Sequence, residues 1–230
     1  MTNTITSFAP SARWASALTP CTESYGCGDP AIYEWPNNVL SPKMVVFESG
    51  VIARDGDPVV HRVDPEELER CRRLSDELAR VWGDAPLGMR SEADTPFVGY
   101  FRVANAGSEP PLVADEAWVR SELFGGTISP LEPVVVEPFD ETAEFWRYAC
   151  ERAPEATVER WTRLAKAFHE SQELVSPRFV SVGFYEYAPA TSVVSPPPGF
   201  EMRGSCLPRV AFAFTPAGSV VGLLGHVVWT

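Results

Sequence analysis

The period of the apolar positions changes along the chain, and each change predicts a different kind of element. The first forty residues hold no sustained period and carry Pro10, Pro20, Pro30 and Pro36. They read as an irregular arm over residues 1–43, and Trp14, Tyr25, Tyr33 and Trp35 predict that it packs across the domain, because large rings gain by burial. Regular structure is expected from the β-rich run Met44-Val45-Val46-Phe47-Glu48. The turn signal Asp55-Gly56-Asp57-Pro58 then leads into Val59-Val60-His61-Arg62-Val63, which predicts a hairpin between the two runs.

Helical spacing follows at once. Asp64, Pro65 and Glu67 supply an N-cap, a proline at the first helical position and a capping-box partner. Leu68, Cys71, Leu74, Leu78, Val81 and Trp82 recur on one face until Gly83 ends the pattern. Further on, the pattern predicts a strand from Phe97 to Val103, a helix from Asp115 to Phe124 closed by Gly125-Gly126, and a short buried strand at Val134-Val135-Val136. Asp140 is expected to cap a helix running to Cys150 with Phe145, Trp146 and Ala149 inward. Pro154 opens another whose stripe is Val158, Trp161, Leu164, Ala165 and Phe168.

The last quarter switches to strand chemistry. Phe179 to Tyr187 is aromatic and β-branched, Val210, Phe212 and Phe214 alternate with small residues, and Ser219 to Trp229 returns after the turn Pro216-Ala217-Gly218. These three strands are nearly uncharged on both faces, as the centre of a sheet requires. Strands at both ends with helices between them predict a single α+β domain over residues 1–230, with a mostly antiparallel sheet, the C-terminal strands at its centre and about four helices packed on it.

Composition agrees with a globular chain: 45% hydrophobic against 22% charged residues is enough to build a core in 230 residues without metal or disulfides. The longest apolar run, Val220 to Gly225, falls well short of the roughly 20 residues of a membrane-spanning helix. The first twenty residues have only Arg13 as a base and no hydrophobic region of a secretory signal, so the expected compartment is the cytoplasm. Two lysines against seventeen arginines point to a GC-rich bacterial genome. The five cysteines form no disulfide framework by spacing. Cys21 and Cys27 leave a small loop disulfide or half of a metal site open, but a four-ligand zinc site needs a second pair that the chain lacks, so no metal and no cofactor are expected.

Candidate chemistry is sparse. Gly26-Cys27-Gly28-Asp29-Pro30-Ala31 fits a dinucleotide fingerprint by letters alone, without the strand before it and the helix after it that the motif needs. No phosphate-binding Walker loop, G-x-S-x-G or H-E-x-x-H is present. His61 and His226 fall in predicted strands, whereas His169 ends a helix, where the dipole favours an imidazolium. His169 with Glu173, or Glu186 on the aromatic strand, are the candidate acid/base groups. Cys206 has no nucleophile signature around it.

Charge placement is the least random feature. Glu109, Asp115, Glu116, Glu122, Glu132, Glu137, Asp140, Glu141 and Glu144 face one base, Arg120, so residues 109–144 carry −8 of the chain's −12. A field of this sign repels nucleic acid and anionic membranes and steers basic proteins. Acids in first helical turns also stabilise helices, which is the plainer reason for Asp115, Glu116, Asp140 and Glu141. Trp118 adds an aromatic anchor of the kind interfaces use. The sequence therefore leads us to expect a non-enzymatic binding protein, of the immunity or antitoxin kind, whose acidic segment captures a basic protein partner such as a toxin. The alternatives are a small hydrolase or transferase using His169, Glu173 or Glu186, and a structural component of a larger assembly.

Overall fold

The computed structural model describes residues 4–6, 8–22, 39–57, 61–89, 93–130, 132–183 and 205–229. Its centre is one antiparallel sheet in which β7 (Val134–Pro138), β8 (Val175–Val182), β9 (Ser205–Phe214) and β10 (Val220–Trp229) lie side by side. The other edge of β10 is shared by β5 (Ala93–Asp94) and β6 (Val98–Arg102), which pair with successive stretches of it. The C-terminal strands are central because they carry almost nothing that needs water: in β9 and β10 the residues from Cys206 to Val227 are buried, apart from the turn that joins them.

Helices cover one face of this sheet. α2 (Pro65–Trp82) starts where the sequence places it, with the Asp64 carboxylate accepting from the Glu66 amide, and stops at Gly83. It buries Cys71, Leu74, Leu78 and Trp82. α5 (Glu155–Glu170) buries Trp161, Leu164 and Phe168, and α4 (Glu144–Cys150) adds Phe145 and Ala149. The rings interlock: Phe145 stacks on Phe179 with centroids 4.0 Å apart, and Trp161 meets Trp82 edge-on at 4.9 Å. The opposite face is covered by α1 (Ala15–Leu18) with the 3-10 turn Thr19–Thr22, and by α3 (Glu116–Trp118), whose continuation Val119–Leu123 widens into a π turn. Val119, Leu123 and Phe124 are buried there.

Several local expectations are corrected. The run at 44–48 does not pair with 61–63, the described part of the second run. β2 (Met44–Val46) pairs with β3 (Ile52–Arg54), while β4 (His61–Val63) pairs with β1 (Thr4–Thr6). The turn that closes β2 on β3 is Ser49-Gly50, where Gly50 has φ +80 and a Cβ would meet the Phe101 carbonyl oxygen at 1.6 Å. Only glycine fits, and it presses this hairpin onto β6. Glu67 does not close a capping box: its carboxylate is buried, takes a 2.5 Å bond from the Thr215 hydroxyl and pairs with Arg70 at 2.7 Å. Asp140 does not cap α4. That helix begins at Glu144, and the Glu137 carboxylate on β7 accepts from the Glu144 and Phe145 amides at 2.7 and 3.3 Å. The aromatic strand starts four residues earlier than expected, and its predicted end at 184–187 lies outside the described residues.

Candidate functional site

The acidic segment is distributed over α3, its π turn, β7 and the start of α4. Most of its carboxylates have a local task. Asp115 caps α3 by accepting from the Trp118 amide at 2.9 Å. Glu116 pairs with Arg120 at 2.8 Å, Glu122 with Arg102 at 3.1 Å, and Glu144 with Arg147. Asp140 accepts from the amide and hydroxyl of Thr142 at 2.8 and 2.5 Å, and these bonds hold its carboxyl below the ordinary aspartate range. Glu132 is buried. Glu109 and Glu141 are exposed and make neither hydrogen bond nor ion pair among the described residues. Trp118 is half-buried, with its ring stacked on Phe212 and edge-on to Phe214, so a large part of it belongs to the core.

Three of the predicted acids nevertheless converge. Asp115, Glu116 and Glu137 line an open groove of about 490 Å3 between residues 113–116 and β7, with Arg178 on its wall. Beside it stand Leu112, fully exposed, and Val113, 66% exposed. Burial pushes the Glu137 carboxyl above its usual range, against the pull of the two amides it accepts from. Leu112, Val113 and Arg178 were not singled out by sequence reasoning. The one signal available was Glu137-Pro138 at the end of a valine run, since charge and proline at a strand end mark a sheet edge.

The candidate acid/base groups are not brought together. The exposed His169 donates Nε2–H to the Phe139 carbonyl at 3.0 Å. Glu173 takes a two-pronged bond from Arg73, both contacts 2.8 Å, and lies 3.6 Å from Arg70. Glu186 lies outside the described residues, as do Cys27 and the 26–31 fingerprint. Cys21, Cys71, Cys150 and Cys206 form no disulfide among the described residues. His226 is buried, its Nδ1–H directed at the Ala17 carbonyl at 2.9 Å, which ties β10 to α1.

A second concavity, of about 370 Å3, opens at the start of α2 beside Glu67, Arg70 and Asn105. Its Glu67 is held by Thr215 and Arg70 as described, and Asn105 accepts from the Arg62 amide at 3.0 Å, so these two side chains tie β4 and α2 to their neighbours in the fold. Among the described residues no group of three or more His, Cys, Asp or Glu is placed to hold a metal ion, and no helix is long and apolar enough to cross a membrane. The chain matches no protein-family model, and no curated protein is similar to it.

Proposed function

We propose that this chain is a non-enzymatic binding protein that captures a basic protein through the acidic surface around β7 and α3, in the manner of an immunity protein or antitoxin that covers the positively charged cleft of its toxin. The observation that supports this reading is the groove in which Asp115, Glu116 and Glu137 meet beside the exposed apolar pair Leu112 and Val113. An apolar contact rimmed by acids is the complement of a basic surface with an apolar centre. His169 and Glu173, the groups an enzymatic reading would use, are each engaged in a bond that joins elements of the fold.

The test is a pull-down with the full chain from its source cells, at low and high salt, with captured proteins identified by mass spectrometry. The charge variant must spare the caps and ion pairs, so it combines Glu109→Lys and Glu141→Lys with Asp115→Asn, which preserves the cap. Capture of one basic protein, lost at high salt and at least tenfold weaker for the variant, is the expected result. Capture that ignores both salt and the variant rejects the electrostatic reading.

A further inference from the structure

Among the described residues, the backbone of β7 is used on one side. The Phe139 amide donates to Pro177 at 3.2 Å and the Gly183 amide to Pro133 at 3.0 Å, and the register between these two pairs is unbroken. Alternation then directs the N–H and C=O groups of residues 133, 135, 137 and 139 toward β8, and those of Val134, Val136 and Pro138 away from it. Among the described residues no strand pairs with that outward side.

The other margin of the sheet is treated differently. Along β6 the Trp14 indole donates to the Gly99 carbonyl at 2.7 Å, the Val103 amide donates to Ser49 at 2.9 Å, and Gly50 packs directly on the Phe101 carbonyl. One edge is sealed by side chain and hairpin, while the other opens into the acidic groove.

The geometry points to β7 as an acceptor for an added strand: an extended segment of the partner, alternating basic and apolar residues, lies in the groove between 113–116 and β7 and bonds to the outward backbone of Val134, Val136 and Pro138. This rests on the basic-partner reading and adds the mode of contact to it. Main-chain bonds would supply the affinity and alternate side chains the choice of partner. Asp115, Glu116 and Glu137 on the walls select lysine or arginine, and Leu112 and Val113 offer apolar contact to the residues between. A second copy of this chain is disfavoured as the occupant, because antiparallel self-pairing brings two copies of the same acidic strand end and of the 109–144 segment together. Pro138 removes one outward donor, which leaves Val136 as the donor at the middle of the strand.

The probe is a displayed library of random ten-residue peptides, panned on the full chain at low salt, with the best sequence resynthesised as a labelled peptide. Strand addition predicts alternating basic and apolar sequences, and slower hydrogen exchange at the Val136 amide when the peptide is bound. It also predicts at least tenfold weaker binding to Val136→Pro, which removes an outward donor and leaves the bonds to β8 intact. Should that proline unsettle the fold, methylation of alternate peptide nitrogens makes the same test from the other side: one alternating set abolishes binding and the other leaves it unchanged. If basic peptides bind in a salt-sensitive way but ignore the proline, both methylation sets and the Val136 amide, the basic-partner reading stands and strand addition is wrong. Selected peptides with no excess of basic residues overturn both.

Discussion

At the scale of single residues, the most consequential side chain is one whose sequence position suggests a different job. Glu67 lies three residues after an N-cap aspartate, which is the capping-box spacing, yet its carboxylate turns inward to Thr215, 148 positions away, and to Arg70. The Cys71 thiol also donates to it at 3.8 Å. A carboxylate with 6% exposure is tolerable only while such donors surround it. Removing one of them should therefore cost more than an ordinary surface bond. Thr215→Val keeps the shape and strips the hydroxyl, and we expect a loss of about 1.5–3 kcal/mol in urea unfolding. A change below about 0.5 kcal/mol would mean that Arg70 and Cys71 satisfy Glu67 without Thr215. Nothing local in the sequence announces this bond, because it depends on where β9 delivers Thr215.

At the scale of elements, legibility follows how local the determining interactions are. α2 was readable because its cap, its proline, its stripe and its terminal glycine are all neighbours in sequence. The β2–β3 hairpin was misread because the Asp55-Gly56 turn signal is stronger by composition than Ser49-Gly50, and the deciding contact is the approach of Gly50 to β6. The start of α4 was misplaced for the same reason: its capping carboxylate comes from β7 and not from Asp140. The groove was invisible too, since it needs the β7 register and the return of 113–116 to its side.

Glu137 makes a prediction at this scale. Its folded carboxyl titrates higher than in the unfolded chain, chiefly through burial. Between the two values the folded state holds more protons, so this group's contribution to stability falls as pH rises from the ordinary glutamate range through its folded value, then stays level. Glu137→Gln, which still accepts one amide bond, should flatten that fall in unfolding measured at pH 4.5 and 7. Glu137→Ala leaves both amides uncapped and should cost about 1 kcal/mol at either pH. Identical pH profiles for wild type and the glutamine variant would show that the carboxyl is not desolvated.

At the scale of the whole molecule, the α+β architecture was legible because the nearly uncharged C-terminal strands had to be central and the amphipathic helices had to lie on them. What the pattern could not show is the asymmetry of the sheet's margins. Trp14 belongs to a stretch that reads as an irregular arm, and it closes the β6 edge with both its ring and its indole N–H: it is 1% exposed, meets Tyr100 and Phe101 edge-on at 5.3 Å, and donates to Gly99. Arg13 beside it pairs with Asp76 on α2, so this turn fastens the sheet margin to the helical layer. Trp14→Phe retains most of the packing and leaves the Gly99 carbonyl without its donor, which should cost about 1–2 kcal/mol. Trp14→Ala also opens a cavity and bares the edge, with an expected loss of about 3–5 kcal/mol and concentration-dependent self-association in sedimentation velocity. The two variants separate the functions of the residue: if the alanine variant is destabilised yet stays monomeric at every concentration, the indole supports the core and the Ser49-Gly50 hairpin alone protects the margin. If it associates, an uncovered edge in this protein is sufficient to recruit a strand, which is the property the acidic margin at β7 is inferred to use selectively.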